Sequence, residues 1–345
     1  MDILITEAFD DPAVDRLDDN HEVVRAPGVF KEPEEFLKLI GEARAIIVRN
    51  QTQLTADVLA AAPKLIGIGR MGLAMARNLI AEGHAVTGYR RSAMDDFAAA
   101  GGTPTASPAA VAETSDIILI SLPGNDAVLD ALNRPDGLLS VLKPGQIVVE
   151  TTSLSPAEKR DHAARIAATG AIMLDCPVSG TPGMLDAGRG AFFVSGDRAI
   201  ADGIRDVLEA ICPRSTWVGD IGAGAATKSV ATALVAIHNL AAAEGLAMAM
   251  REGGDIAAVH EAISGSPAGS AMFEMRGALM ARRDYASGGG SLDGYLRGLG
   301  RVHDSVAESG ATPLLDVTRQ CYEDAVAAGH TGQDQASIFE YVLGK

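Results

Sequence analysis

The stretch Leu65-Ile66-Gly67-Ile68-Gly69-Arg70-Met71-Gly72-Leu73-Ala74-Met75-Ala76-Arg77-Asn78-Leu79 decides the fold. A short apolar run enters a glycine-rich turn, and the turn opens into a segment with apolar residues at helical spacing. Gly67 permits the tight turn, Gly69 lets the backbone approach a pyrophosphate, and Gly72 lets the helix pack close to the strand. The stretch therefore predicts the start of a dinucleotide-binding βαβ unit, with phosphates at the helix N-terminus. The residues expected to contact the cofactor here are Gly67, Gly69, Arg70, Met71 and Gly72.

The composition is that of an ordinary folded protein of two or three domains, with 345 residues and 47% hydrophobic content. A net charge of −16 argues against nucleic acid or an anionic membrane as a partner. We expect no apolar run near the ~20 residues that a membrane span needs, and no signal peptide at the N-terminus. Cys176, Cys212 and Cys321 lack a metal-ligand spacing, so we expect reduced thiols, a cytoplasmic protein and no metal site.

The first 64 residues predict a small parallel sheet. Apolar strands at 3–5, 22–24 and 45–48 alternate with helices that start near Pro12, span 32–43 and start near Thr55. The segment is interpreted as a structural or oligomerisation extension, and the alternative is that Arg49 or Asn50 reaches a substrate.

The second strand of the nucleotide unit, at 85–89, ends in Arg90-Arg91-Ser92. Enzymes that use NAD usually place an acidic residue at this point, where it binds the ribose 2′-hydroxyl. Two guanidinium groups and a hydroxyl suit a 2′-phosphate instead, so NADP (NADPH) is favoured and NAD is less favoured. The alternative is a solvated strand end without a ligand.

Three further strand ends carry candidate ligand-binding residues. A strand at 116–122 ends in Leu122-Pro123, which is expected to contact the cofactor, and a strand at 146–150 leads to Thr152 and Ser153. A strand at 172–175 leads to Ser179-Gly180-Thr181, whose N–H groups and hydroxyls could hold a carboxylate. An ordinary strand-to-loop turn is the alternative for this last segment. Cys176 has no neighbouring base and is expected to line a pocket wall rather than act as a nucleophile.

The segment 225–250 predicts one long helix that carries Lys228 near its start and Thr232 one turn later. Burial and the positive end of the helix would both lower the lysine pKa towards the range useful for proton transfer. The alternative is a surface lysine. Helices are also predicted at 255–263, 271–282, 292–309, 313–328 and 334–343, so the second half is expected to be all-helical.

From about residue 65 onward the chain resembles the β-hydroxyacid dehydrogenases, which include the 3-hydroxyisobutyrate dehydrogenases and the tartronate semialdehyde and glyoxylate reductases. The motifs that carry the resemblance are Gly67-x-Gly69-x-Met71-Gly72, Leu122-Pro123, Thr152-Ser153-x-Ser155-Pro156, Asp175-x-Pro177-Val178-Ser179-Gly180-Thr181 and Gly222-x-Gly224-x-x-x-Lys228. Residues 1 to about 66 resemble the first part of the D-2-hydroxyacid dehydrogenases, through Ala45-Ile46-Ile47-Val48-Arg49-Asn50-Gln51-Thr52 and Leu59-Ala60-Ala61-Ala62-Pro63-Lys64-Leu65.

The resemblance implies an α/β fold: a Rossmann doubly wound sheet followed by an all-α domain, here with a small N-terminal α/β extension. The implied domains are 1–64, 65–221 and 222–345. It also implies an NADP-dependent oxidoreductase that transfers a hydride between the nicotinamide and a small β-hydroxyacid, semialdehyde or oxo-carboxylate. Lys228 would be the general acid/base, and the protein would be a homodimer or homotetramer.

Two departures from the family pattern concern polar positions. Ala231 and Thr232 stand where the family usually has asparagines, and Arg297-Gly298-Leu299 stands where it has Lys-Asp-Leu. Thr232 is kept as a substrate-binding candidate and Arg297 as a cofactor-binding candidate. Three alternatives stay open: an imine reductase on the same scaffold, a non-catalytic NADP-binding or scaffolding protein, and a D-2-hydroxyacid dehydrogenase.

Overall fold

The structure is a computed structural model that describes residues 3–6, 22–42, 45–47, 70–91, 94–285, 291–306, 310–330 and 333–344. The chain divides into two compact units, Ile68–Ala231 and Met1–Gly67 together with Thr232–Lys345. The predicted domain bounds stay predictions. Several predicted features lie outside the described residues: the strand and turn with Gly67 and Gly69, the helices near Pro12 and Thr55, Arg49, Asn50 and Ser92.

The N-terminal segment forms the predicted small parallel sheet. Its described elements are β1 (Ile3–Ile5), β2 (Val23–Arg25), α1 (Pro33–Glu42) and β3 (Ala45–Ile47). The strands lie in the order β2-β1-β3, and both pairings are parallel. Leu4 of β1 packs in one apolar cluster with Phe36 and Ile40 of α1. Phe36 and Ile40 therefore cover the sheet, whereas Leu37 of the same helix is exposed.

The unit Ile68–Ala231 alternates strands and helices. In chain order its elements are α2 (Arg70–Ala81), β4 (Thr87–Gly88), α3 (Asp95–Ala99), β5 (Thr103–Pro104), α4 (Pro108–Glu113), β6 (Ile117–Ile120), α5 (Asn125–Asn133), β7 (Ile147–Glu150), α6 (Pro156–Ala167), β8 (Ile172–Asp175), β9 (Val178–Ser179), α7 (Pro182–Asp186), β10 (Ala191–Ser195), α8 (Arg198–Gly203), α9 (Arg205–Ile211) and β11 (Ser215–Gly219). The main sheet has the order β11-β10-β8-β7-β6, and β4 pairs with β5.

Three central strands of this sheet, β6, β7 and β8, are parallel, while β10 runs antiparallel to β8. The three strands are short apolar runs, as expected for a parallel sheet covered on both faces. Their register aligns Ile120 with Glu150 and Glu150 with Asp175. Because carboxyl ends of parallel strands meet at one edge, two carboxylates lie side by side where ligands bind in such folds.

The second half is all-helical where it is described. Its helices are α10 (Ala223–Arg251), α11 (Ile256–Ile263), α12 (Ala271–Arg282), α13 (Leu292–Val306), α14 (Pro313–Ala327) and α15 (Ile338–Leu343). The predicted helix at 334–343 begins instead as a 3-10 turn, Gln335–Ser337, because the Asp334 carboxylate accepts the N–H of Ala336. Residues of α10 such as Leu246 and Ala247 are fully buried in the core that these helices share.

The expectation of no apolar run of membrane-spanning length is wrong for α10. This helix has 29 residues and, among the described residues, is long and apolar enough to cross a membrane by length and composition. Alanines supply much of that apolar character. A core helix passes the same test, and α10 contributes Ala236, Leu240 and Ala243 to a buried cluster.

Candidate active site

Lys228 lies in the second turn of α10, because the helix begins at Ala223. Its side chain is partly buried, and burial lowers the pKa of Lys228 from 10.5 to about 8. Gly222, just before the helix, has a φ of +96°, a left-handed conformation that favours glycine. A lysine with this pKa exchanges a proton readily near neutral pH, which is the property that the sequence predicted for it.

The segment Ser179-Gly180-Thr181 forms a tight turn after β9. Gly180 has a φ of +143°, and a Cβ on it would lie 3.3 Å from the Cα of Gly190, so this position suits glycine. The Thr181 hydroxyl accepts the N–H of Met184 at 3.3 Å and caps α7. The predicted hydroxyl of Thr181 is therefore already used within the fold, while all three residues are partly exposed.

Thr152 braces two strand ends. Its hydroxyl accepts the N–H of Leu122 at 3.2 Å, and its own N–H donates to Oε1 of Glu150 at 2.8 Å. Thr152 is buried, whereas Ser153 beside it is exposed. A hydrogen bond thus joins the predicted loop at Leu122-Pro123 to the predicted loop at Thr152-Ser153. Of the two hydroxyls in the second loop, that of Ser153 is the accessible one.

Arg90 makes a bidentate ion pair with Asp96, in which Nη1 donates to Oδ2 at 3.1 Å and Nη2 donates to Oδ1. Burial of Asp96 raises its pKa, but the hydrogen bonds and charge of Arg90 outweigh burial, and the pKa is lowered overall. Arg91 is exposed. No acid follows Arg90 directly in the sequence, and Asp96 comes six residues later, in α3.

The remaining predicted residues lie as follows. Met71 packs against the apolar cluster of its unit. A Cβ on Gly72 would lie 3.5 Å from the Cβ of Ser121, which is an ordinary van der Waals contact. Thr232 and Arg297 belong to the other unit. There the Thr232 carbonyl accepts the Tyr295 hydroxyl at 2.8 Å, and Arg297 pairs with Asp293 on the same helix at 3.0 Å.

A buried ionic cluster lies outside the set of predicted site residues. Lys159, Glu150 and Asp175 all have side chains with 0% exposure, and the ammonium of Lys159 pairs with both carboxylates. The sequence does contain a signal for this cluster. Ser155 and Glu158 form a capping box that fixes the start of α6. Lys159, His162 and Ile166 then lie on the inward face of that helix. A lysine on a buried face needs buried counter-charges.

Cys176 is fully buried in an apolar cluster, so the prediction that it lines a pocket wall is wrong. Burial raises the pKa of its thiol, and a protonated thiol is a poor nucleophile. Within the described ranges no group of three His, Cys, Asp or Glu side chains could hold a metal ion.

The elements expected to hold a dinucleotide are described apart from the turn with Gly67 and Gly69. The first turn of α2, the arginine-bearing end of β4 and the braced ends of β6 and β7 all belong to one unit. A helix N-terminus suits phosphates, and Arg91 offers an exposed guanidinium beyond β4.

Comparisons with known proteins agree with this geometry. Residues 64–219 match the family model for the NAD binding domain of 6-phosphogluconate dehydrogenase. Residues 222–342 match the model for the NAD-binding of NADP-dependent 3-hydroxyisobutyrate dehydrogenase. Residues 3–75 match the catalytic domain of D-isomer specific 2-hydroxyacid dehydrogenases, so the two resemblances overlap at 64–75.

Individual relatives point the same way. L-threonate dehydrogenase of Cupriavidus necator is 32% identical over 287 residues, which cover 81% of this chain and 95% of that protein. The crystal structure of Mycobacterium tuberculosis 3-hydroxyisobutyrate dehydrogenase with L-serine aligns with a TM-score of 0.72 at 26% identity, over 80% of this chain and 97% of that one. An imine reductase of Streptomyces aurantiacus aligns with a TM-score of 0.54 at 24% identity, over 80% of this chain and 97% of that one, and shares the fold alone.

One assignment follows from the parallel sheet, the helical second half and the 32% identity to L-threonate dehydrogenase over 81% of this chain. The chain belongs to the β-hydroxyacid dehydrogenase family and is an NAD(P)-dependent oxidoreductase that acts on CH–OH groups.

Proposed function

We propose that the chain interconverts a small β-hydroxyacid and its semialdehyde or oxo-carboxylate with NADP, and that Lys228 is the general acid/base. The observation that carries the proposal is the partly buried Lys228 at the start of α10, whose pKa burial lowers to about 8. Such a group holds comparable amounts of acid and base near physiological pH.

A bound NADP supplies or accepts the hydride, and the residues of this chain handle the proton and the carboxylate. In the oxidation direction, the neutral amine of Lys228 accepts the proton of the substrate hydroxyl. In the reduction direction, its ammonium donates a proton to the developing alkoxide and stabilises its charge. The turn at Ser179-Gly180-Thr181 and the exposed hydroxyl of Ser153 would hold and orient the substrate carboxylate.

NADP is proposed over NAD because β4 ends in two arginines. A guanidinium binds a phosphate through two parallel, charge-assisted hydrogen bonds. Arg91 is exposed and suited to this role, while Arg90 would have to exchange Asp96 for the 2′-phosphate.

The experiment is a panel of hydroxyacids and semialdehydes, with L-threonate and 3-hydroxyisobutyrate included, assayed with NADP(H) and NAD(H) in parallel. We expect turnover with at least one hydroxyacid, faster with NADP, and a loss of about 10³-fold or more in kcat in Lys228→Ala. Near wild-type turnover in a Lys228→Ala protein that still binds NADPH would disprove the role of the lysine. Turnover of cyclic imines without turnover of hydroxyacids would favour the imine reductase, and NADPH binding without any turnover would favour the scaffolding protein.

Other properties remain proposals. We propose a homodimer or homotetramer, supported by exposed apolar residues of α10, namely Leu234 and Met248. A cytoplasmic location and the lack of nucleic acid or membrane partners stay predictions from composition and a net charge of −16.

A further inference from the structure

The buried lysine Lys159 holds two carboxylates at the carboxyl edge of the sheet. Its Nζ pairs with Oε2 of Glu150, lies 2.9 Å from Oδ1 of Asp175, and donates to the main-chain oxygen of Glu150 at 3.1 Å. Two of these contacts are ion pairs and the third is a hydrogen bond, and the side chain of Lys159 is 0% exposed. Lys159 is therefore buried away from a substrate and does not itself act on one.

The Asp175 carboxylate links this lysine to the helix that carries Lys228. Its Oδ2 accepts the N–H of Ala225 at 3.0 Å and the hydroxyl of Ser195 at 3.1 Å, and the oxygen of that hydroxyl accepts the N–H of Gly224 at 3.0 Å. The first N–H groups of a helix have no partner within the helix. Asp175 and Ser195 thus fix the first turn of α10, one turn before Lys228.

The Glu150 carboxylate links the same lysine to the braced loops. Its Oε1 accepts the N–H of Thr152 at 2.8 Å, and the Thr152 hydroxyl accepts the N–H of Leu122 at 3.2 Å. One ammonium therefore lies between the loops that follow β6 and β7 on one side and the start of α10 on the other.

The charges in this cluster do not balance on their own, because two carboxylates face one ammonium. The positive end of α10, which carries about half an elementary charge, provides the missing compensation at Asp175. Removal of Lys159 would leave two buried carboxylates next to each other, a costly arrangement that structural relaxation or proton uptake would relieve.

We propose that Lys159 is a positioning residue, which through Glu150 and Asp175 fixes the start of α10, and hence Lys228, relative to the Thr152 loop. The inference rests on the proposed function of Lys228. No reacting atom contacts Lys159 in this scheme. A displacement of about 1 Å at a catalytic group can cost roughly 100-fold in rate, so the scaffold that holds Lys228 matters for turnover.

The test compares Lys159→Met, Glu150→Gln, the double variant of both, and Lys143→Met as a control at an exposed lysine. We expect kcat to fall roughly 10- to 100-fold in Lys159→Met. The double variant should regain stability but not kcat, because it removes the unpaired charge of Glu150 but does not restore the link between the Thr152 loop and the start of α10. Lys143→Met should match the wild type.

A second readout does not depend on turnover. In Lys159→Met the two buried carboxylates would face each other without the ammonium, with His162 as a neighbouring ionisable side chain, and their repulsion is relieved when one of them binds a proton. Stability from such a group is lost as pH rises. The thermal unfolding midpoint of Lys159→Met should therefore drop below that of the wild type by roughly 5 °C more at pH 8 than at pH 5, and the double variant should lose this dependence.

If Lys159→Met does not fold, Asp175→Asn tests the same link. Through Oδ1 the carboxylate pairs with Lys159, and through Oδ2 it accepts the N–H of Ala225 and the hydroxyl of Ser195, while an amide has one accepting oxygen only. We expect kcat to fall about tenfold or more, with the NADPH Kd little changed. A folded Lys159→Met or Asp175→Asn with wild-type kcat, or a double variant with wild-type kcat, would overturn the inference. Turnover that survives Lys228→Ala would instead overturn the proposed function.

Discussion

At the scale of single residues, the pKa of Lys228 fixes how the rate should depend on pH. Oxidation needs the neutral amine, so kcat/KM should rise about tenfold per pH unit below pH 8 and level off above it. Reduction needs the ammonium, so its rate should be level below pH 8 and fall above it. Initial rates in both directions between pH 6 and pH 10 measure this.

Lys228→Arg is the matched variant for this profile, because it keeps a positive charge that does not titrate below about pH 12. The Lys228→Arg variant should lose the oxidation activity, and its rate of reduction should not change slope near pH 8. A wild-type profile that is flat between pH 6 and pH 9 in both directions would contradict the assignment.

A second residue-scale prediction concerns Arg91 and Asp96. Arg91→Ala removes the exposed guanidinium at the end of β4 and should weaken NADPH binding roughly 10-fold or more, since a hydrogen bond to a charged group contributes about 1.5–3 kcal/mol. Asp96→Asn should do the opposite and strengthen NADPH binding, because it removes the charge that pairs with Arg90. NADH binding should change little in both variants.

Fluorescence titration with NADPH and NADH gives both dissociation constants. Equal changes for the two cofactors would show that these arginines do not face the 2′-phosphate, and the NADP preference would then lose its support.

At the scale of elements, the start of α10 should tolerate less change than its middle. A Cβ on Gly224 would lie 2.5 Å from the carbonyl oxygen of Phe193 and 2.8 Å from that of Asp175, too close for any real side chain. For Gly245 in the same helix, no atom of the described residues beyond the helix's own nearby backbone lies within 4 Å of the Cβ position. Gly224→Ala should therefore destabilise the protein by about 2–4 kcal/mol, through strain and the loss of the helix cap.

Gly245→Ala is the control and should stabilise by about 0.5–1 kcal/mol, because alanine favours the helix interior. Urea unfolding of both variants measures the difference, and kcat should fall in Gly224→Ala alone. Equal stability of the two variants would mean that α10 does not pack as closely at Gly224 as the structure has it.

Helices and strands were predictable where a local sequence pattern determines them. Site residues were predictable where they belong to a sequence motif. Helix α12 has the predicted bounds, because the Ser270 hydroxyl caps its first turn and apolar residues recur behind it. The Glu150–Lys159–Asp175 cluster was not predicted, because it joins three elements that only the strand register brings together. The ion pair between Arg90 and Asp96 was not predicted for a similar reason, because it requires the chain to turn back after β4.

At the scale of the whole molecule, two family patterns meet in one short segment. The match to D-2-hydroxyacid dehydrogenases covers 3–75 and the match to the nucleotide-binding domain starts at 64. The described strands β1 to β3 form a parallel sheet of their own with the order β2-β1-β3. The extension thus has its own hydrogen-bonded core, which agrees with the predicted small α/β extension. Its role stays a prediction, since Arg49 and Asn50 lie outside the described residues.

The last prediction concerns self-association. Leu234 and Met248 of α10 are 46% and 64% exposed, and a separation of 14 residues places them on the same helix face. Large apolar side chains that share an exposed face mark interaction surfaces more often than isolated ones do. A double substitution, Leu234→Glu with Met248→Glu, should therefore shift the protein to a smaller species, because it would bury two unpaired carboxylates in the interface. Leu37→Glu is the matched control, since Leu37 is 39% exposed but lies in α1. Sedimentation velocity of the three proteins at equal concentration gives the masses. A wild-type monomer, or a double variant with wild-type mass, would contradict an interface at this face of α10, and a loss of mass in Leu37→Glu would place it on the N-terminal extension instead.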